Sequence, residues 1–137
     1  MWTEEEQAII DAYEQFQVEL VAVLVDSERD LTRLRSLASE PVGEAIEASI
    51  ARRRLEGIGT DGTLHIEVLG IRFFGLDLAE IDVCSWDTTV RVEEGMVVSE
   101  PDPTPLTRTA EMEKSNGRWV VGDAKDNAAS GLECVLD

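Results

Sequence analysis

The chain has 137 residues, 43% of them hydrophobic, which is enough for one domain with a core of its own. Its 29 acidic residues outnumber the 12 basic ones, so the formal net charge is −17. This excess of negative charge repels nucleic acids and anionic lipid surfaces, and it argues against both as partners. No stretch reaches the roughly 20 apolar residues that a membrane span needs. The sequence therefore predicts a single domain over residues 1–137.

Three helices are predicted in the first part of the chain. The first runs from Glu4 to Val25, because apolar residues recur at helical spacing and residues 3–6 match a capping box. A short second helix follows Asp30, which is a plausible N-cap. The third runs from Pro41 to Leu55, with the proline in its first turn. Its predicted buried face consists of Val42, Ala45, Ile46, Ser49 and Ile50.

Beyond the third helix the apolar residues alternate, which predicts strands. In the stretch 64–73 the alternation changes parity, so we predict a bulge near Gly70. The stretch 78–92, LAEIDVCSWDTTVRV, also changes parity, and we predict its bend near Cys84 and Ser85. Two kinked strands of this length indicate a sheet that curves around the first helix.

The remaining strand signals are shorter. Residues 96–98 are predicted to extend the sheet briefly after a turn. The pair Asn116 and Gly117 lies between two alternating runs, and Asn-Gly is the preferred pair for a tight hairpin. Since the helices come first and the strands second, the fold class is α+β. We expect three N-terminal helices packed on a strongly curved antiparallel sheet.

The order of these elements and three short motifs resemble the NTF2-like superfamily, also called SnoaL-like or ketosteroid-isomerase-like. The motifs are Ala79–Cys84 (AEIDVC), Gly117–Val121 (GRWVV) and Cys134. The chain is most similar to uncharacterised exported or phage-encoded members from actinobacteria. The resemblance covers nearly the whole chain and implies a cone-shaped, cystatin-like fold. It also implies a pocket inside the cone, a feature that serves enzymes and binding modules alike.

The chain contains two cysteines, Cys84 and Cys134. The resemblance implies a disulfide between them, which would tie the C-terminal segment to a central strand. The alternative is a pair of buried thiols in a cytosolic protein, where disulfides are rare. Two cysteines with His65 do not complete a zinc site, so neither a metal nor a cofactor is predicted. The compartment stays open: a disulfide favours an extracytoplasmic one, but the acidic start MWTEEEQ lacks the basic residues of a secretory signal.

Catalytic members of this superfamily typically place a carboxylate or a His-Asp pair, often with a tyrosine, on the apolar walls of the cone. Tyr13 lies on the apolar stripe of the first helix. Asp82 and Asp87 lie near the predicted bend, where burial would raise the pKa of a carboxyl and make it a base. Each also has a structural interpretation, as a core tyrosine or as acids on a solvated surface. His65 is predicted to face solvent or an interface.

Aromatic residues provide the other candidate contacts. The predicted lining of an apolar ligand pocket consists of Tyr13, Phe16, Trp86 and Trp119. The structural interpretation of the two tryptophans is that they belong to the sheet core. Phe73 and Phe74 are adjacent in a predicted strand, which puts one ring on each face. A covered outer face would agree with a homodimer, as in other members of the superfamily.

Two functions follow from these observations. The first is a non-catalytic NTF2-like domain that binds a protein partner or a small apolar ligand. The second is a small isomerase or dehydratase that uses a buried aspartate with Tyr13. An enzyme requires an enclosed apolar cavity in which a carboxylate and Tyr13 converge on one point, so the geometry distinguishes the two.

Overall fold

Three helices and seven strands make up the part of the chain that the structure describes. The structure is a computed structural model and describes residues 1–101, 105–126 and 134, with backbone only for residues 87 and 123–126. In chain order the elements are α1 (Glu4–Val25), α2 (Thr32–Ser36), α3 (Glu40–Leu55), β1 (Ile58–Asp61), β2 (Leu64–Phe73), β3 (Leu78–Asp87), β4 (Val90–Glu93), β5 (Met96–Val97), β6 (Leu106–Ser115) and β7 (Arg118–Asp126).

The first helix has the predicted bounds and the predicted cap. The hydroxyl of Thr3 accepts a hydrogen bond from the Glu6 N–H at 3.1 Å, and the Glu6 carboxylate accepts one from the Thr3 N–H at 2.9 Å. This capping box satisfies backbone donors that the start of a helix otherwise leaves without a partner. The apolar stripe of α1 is buried in the core, where Ile9, Tyr13 and Phe16 are each at most 3% exposed.

The other two helices start close to their predicted positions. Asp30 lies one residue outside the N-cap position of α2, and its carboxylate accepts the N–H of Thr32 at 2.7 Å. The third helix starts one residue earlier than predicted, and Ile50 is 3% exposed in the core. The predicted burial of Ala45 and Ser49 is wrong, since both are exposed. The reason is that α3 packs only against α2, β1 and β7 among the described elements with which it makes its main contacts, and buries a narrower stripe than a central helix does.

The strands form two antiparallel sheets. The larger has the order β2-β3-β6-β7 and the smaller the order β1-β4-β5. Helix α1 packs against β1, β2 and β7, so it contacts both sheets. Residues 37–39 lie beside β7, where the Ser39 N–H donates to the Val121 carbonyl at 2.7 Å and the Val121 N–H donates to the Leu37 carbonyl at 3.0 Å. The α+β architecture with helices on a curved antiparallel sheet is confirmed.

One sharp corner divides the two sheets. Before the corner Asp61 pairs with Val90, and after it Leu64 pairs with Asp87, so β1 with β2 and β3 with β4 are two halves of one bent ribbon. At the corner the Thr88 N–H donates to the Thr63 carbonyl at 2.9 Å. The two threonine hydroxyls lie 3.2 Å apart. The two strands of the ribbon therefore stay in hydrogen-bond contact through the corner.

The bend that we predicted near Cys84 and Ser85 is wrong in position. Strand β3 keeps an unbroken register with β6 from Leu78 to Ser85, and the ribbon bends at residues 88–89 instead. The parity pattern misled the prediction because Cys84 and Trp86 are apolar but lie on the outer face of β3. Apolar residues on an outer face imitate a change of parity without any bend in the backbone.

The bulge predicted near Gly70 is confirmed. The extra residue is Leu69, between Val68 and Gly70, and it is 50% exposed. Because the bulge changes the parity, Val68 and Ile71 both face the core. A second bulge lies at Gly122 in β7 and was not predicted.

Both tight hairpins turn through two residues with a positive φ angle. Asn116 and Gly117 have φ values of 53° and 76°, and Glu94 and Gly95 have φ values of 51° and 79°. Two consecutive positive φ angles are typical of a type I′ turn, whose twist matches that of the paired strands. The hairpin predicted at Asn116 and the short extension at residues 96–98 are confirmed, since β6 pairs with β7 and β5 with β4.

Replacing Gly62 with alanine is expected to destabilise the fold strongly. Gly62 has φ +116°, and a Cβ there would lie 2.5 Å from the Thr88 carbonyl oxygen. Gly75→Ala is the matched control, because Gly75 has φ +102° but no atom within 4 Å of a Cβ. Backbone strain alone should cost about 1–2 kcal/mol in both variants, and overlap should add about 1–3 kcal/mol in Gly62→Ala. Urea unfolding measures both, and equal losses would contradict a crowded corner.

Candidate functional site

Tyr13 and Phe16 lie deep in the hydrophobic core. Their exposed fractions are 2% and 3%, and they share one buried cluster with Ile81 and Val83 of β3. These side chains pack into the space between α1 and the sheet. Tyr13 therefore lies on the inner side of the sheet, as the pocket hypothesis requires, but it is surrounded by closely packed core residues.

Asp82 lies on the opposite face of β3. Its neighbours Ile81 and Val83 are fully buried on the core side, so the alternation of a strand directs Asp82 outward. There it forms an ion pair with Arg72 and accepts a hydrogen bond from the Thr109 hydroxyl at 2.6 Å. The enzyme alternative requires Asp82 to face inward as a base, and this outward position does not meet that requirement.

The environment of Asp82 favours its charged form. Burial raises the pKa of Asp82, but hydrogen bonds from Arg72 and Thr109 outweigh burial and hold the pKa below its ordinary value. Arg72 also binds Glu80 at 2.8 Å, and its two carboxylate partners raise the pKa of the guanidinium. A carboxylate stabilised in this way takes up protons poorly and is a weak general base. The side chain of Asp87, the other acid candidate, lies outside the described part.

The two candidate tryptophans lie on different faces of the sheet. Trp86 is on the outer face, where its ring stacks on that of His65 with centroids 5.1 Å apart. Trp119 is 5% exposed within the core cluster, and its indole N–H donates to Glu5 at 3.0 Å. The structure therefore brings Tyr13, Phe16 and Trp119 into one core and leaves Trp86 outside it. His65 is exposed, as predicted.

The adjacent phenylalanines do not mark opposite faces of one strand. Phe73 is the last residue of β2, and its ring meets that of Trp119 edge-on with centroids 6.5 Å apart. Phe74 follows the strand and is 57% exposed. The homodimer that we predicted from this pair stays a prediction.

A disulfide occupies the middle of the outer face. The structure joins Cys84 and Cys134, whose Cα atoms are 5.7 Å apart and which are 50 residues apart in sequence. Cys84 is fully buried although it faces away from the core. It lies on β3 between Asp82 and Trp86, so the bond holds Cys134 between the ion pair and the stacked rings.

Alkylation under denaturing conditions tests this bond. We expect no labelled cysteine in the protein as purified and two after reduction, counted by mass spectrometry. Replacing both cysteines with serine should lower the unfolding free energy by about 4 kcal/mol, because closing a loop of this length restricts the unfolded chain. Two labelled cysteines without reductant would contradict the disulfide.

Glu19 is a buried acid that the sequence analysis did not select. It is 3% exposed, and Arg29 binds both of its oxygens, at 2.7 and 3.0 Å, while Arg33 lies 3.6 Å away. The hydrogen bonds from Arg29 lower the pKa of Glu19. One signal was available: Glu19 lies on the apolar stripe of α1, three residues after Phe16. This ion pair fixes α1 against the segment that leads into α2.

Glu19→Gln should cost about 2 kcal/mol of unfolding free energy near pH 7, because it removes a charged hydrogen-bond acceptor. Since the folded pKa is depressed, this contribution is present above the unfolded pKa of about 4.3 and is lost as the pH falls through the folded value. The difference from the native protein should therefore shrink on acidification. Urea unfolding at several pH values measures it. Glu14→Gln, an exposed acid on the same helix, is the control and should be nearly neutral.

Several surface grooves are lined by the described residues. One, of about 530 Å³, lies between the start of α3 and the β6–β7 hairpin and is mainly polar. A second, about 200 Å³, separates α1 from the start of β2, and a third, about 230 Å³, lies between α1 and Trp119. A fourth, about 250 Å³, lies beside the turn between β2 and β3 and is mainly apolar.

Among residues 1–101, 105–126 and 134, no three histidine, cysteine, aspartate or glutamate residues are grouped to hold a metal ion. No helix in the same ranges is long and apolar enough to cross a membrane.

Comparison with known proteins identifies the fold. No family model and no curated protein matches the sequence. The intermembrane space region of the chloroplast protein ARC6 matches with a TM-score of 0.76 at 12% identity, covering 88% of this chain and 94% of that one. A ketosteroid isomerase-like protein from Erwinia carotovora atroseptica matches with a TM-score of 0.55 at 13% identity, covering 89% and 98%.

A putative calcium/calmodulin-dependent protein kinase type II association domain from Thiobacillus denitrificans is also similar. Its TM-score is 0.51 at 10% identity, covering 84% of this chain and 91% of that one. At such identities the likeness shows the fold alone. The chain has the NTF2-like cone fold that the sequence motifs predicted.

Proposed function

We propose that the chain is a non-catalytic NTF2-like domain that binds a protein partner or a small apolar ligand. The observation that supports this proposal is the separation of Tyr13 from Asp82, one of the two aspartates that the enzyme alternative names. Tyr13 lies in the core and Asp82 on the far side of the sheet, in an ion pair with Arg72. Two groups on opposite faces do not converge on one substrate atom.

The disulfide supports a proposal about the cellular compartment of this domain. A bond between Cys84 and Cys134 persists in oxidising compartments and is rare in the cytosol. We therefore propose that the domain works outside the cytoplasm. Such a location agrees with the sequence resemblance to exported members of the superfamily. Residues 1–137 are proposed to act as one domain.

Native mass spectrometry of the protein isolated from its source under mild conditions tests the binding function. We expect an added mass that is lost on denaturation and that corresponds to a partner chain or a small apolar molecule.

The matched test of catalysis follows hydrogen–deuterium exchange next to the carbonyl of an enolisable ketone. We expect the background rate for the native protein, for Asp82→Asn and for Tyr13→Phe. Exchange above background that both substitutions abolish would support the isomerase instead.

A further inference from the structure

We propose that the turn between β2 and β3 carries a docking site for a basic, apolar segment of a partner protein. This inference rests on the proposed function, in its protein-partner form. The site is built on three exposed apolar residues, which we call the apolar tip: Phe74, Leu76 and Leu78, with exposed fractions of 57%, 89% and 49%. Apolar side chains grouped at such exposure commonly mark a protein interaction site.

A recess lies next to the apolar tip. Phe74, Leu78 and Ala79 form its apolar wall, and its volume is about 250 Å³. Sites for small molecules usually measure about 300–1,000 Å³, so this recess suits a side chain projecting from a larger partner better than a separate ligand. A bulky apolar side chain of the partner would fill it.

The turn is held in place by backbone hydrogen bonds. The Phe74 N–H donates to the Leu78 carbonyl at 2.8 Å, and the Lys114 N–H of β6 donates to the Asp77 carbonyl at 2.9 Å. These bonds fix the backbone that carries the tip before any partner arrives. A preformed surface reduces the ordering cost of binding.

The charges beside the recess select the partner. Glu80 and Glu111, which complete its lining, are directly opposite each other on β3 and β6, and Glu113 is opposite Leu78. Like charges at opposite positions destabilise a sheet. Arg72 binds Glu80, but Glu111 has no ion pair with any residue that the structure describes. A lysine or arginine of the partner, placed next to its apolar side chain, would relieve this repulsion.

Other occupants fit the site less well. A second copy of this chain would bring the same acids together, in a protein whose net charge is −17. A neutral ligand would leave Glu111 without an ion pair among the described residues. The combination of an apolar recess and this negative charge therefore points to a basic segment.

Fluorescence anisotropy with two labelled peptides tests the site. One peptide alternates leucine with lysine, and its counterpart has glutamate in place of every lysine. We expect the lysine peptide to bind at least about tenfold more tightly, with an affinity that falls as salt is added, because exposed charges are screened. Equal affinity for both peptides would mean that the surface is only apolar and would overturn the charge selection.

Matched variants locate the binding. Leu78→Ser and Glu111→Lys should each weaken the lysine peptide by about tenfold, since one removes apolar contact and the other reverses a charge. The controls are Leu55→Ser and Glu56→Lys, which alter an exposed leucine and an exposed acid at the end of α3. These should change the affinity less than about twofold. Unfolding curves verify that every variant is folded, and Glu111→Gln replaces Glu111→Lys if the latter is not.

The outcomes separate this inference from the function on which it rests. Equal weakening by the control variants would overturn the site. If the native protein binds neither peptide while native mass spectrometry detects a partner chain, the docking site is wrong and the proposed function stands. If mass spectrometry detects only a small molecule, the protein-partner form of the function is overturned together with the site.

Discussion

The close approach of two backbones at Gly62 and Thr88 is the constraint on which the rest of the structure depends. Without a Cβ at Gly62, one strand of the ribbon passes within contact distance of the other, and the ribbon can turn from the large sheet into the small one. The turn lets both sheets meet the same helix, α1. The core that contains Tyr13, Phe16 and Ile81 is formed by the helices and the large sheet.

The two faces of the large sheet have different chemistry. The inner face is apolar and closely packed, with Ile81 and Val83 fully buried. The outer face carries Arg72 with its acids, the disulfide at Cys84 and the stack of His65 on Trp86. Strand alternation alone separates the two sets. A disulfide and partly exposed ion pairs therefore lie on the outer face of a domain of modest size.

Local signals predicted the parts of the fold that local interactions decide. The cap at Thr3, the bulge at Gly70 and the turn at Asn116 each depend on a few neighbouring residues, and each was found where expected. The corner was predicted at the wrong position because Trp86 is an apolar residue on the outer face of β3. There it stacks on His65 of β2, a contact between residues that are distant in the sequence. The contact between Glu19 and Arg29 depends on how α1 meets the next segment, which no local pattern contains. The outward position of Asp82, by contrast, follows from its place between Ile81 and Val83.

The bulge at Leu69 has a consequence for solubility. Among the described residues, strand β2 pairs on one side only, with β3, and the edge of such an end strand could template the pairing of another chain. The other end of that sheet is covered, since residues 37–39 lie beside β7. An extra residue in the middle of β2 interrupts the regular spacing of donors and acceptors that a growing fibril would need. Leu69, the extra residue that allows Val68 and Ile71 both to face the core, therefore also disfavours edge-to-edge pairing of β2 with a second molecule.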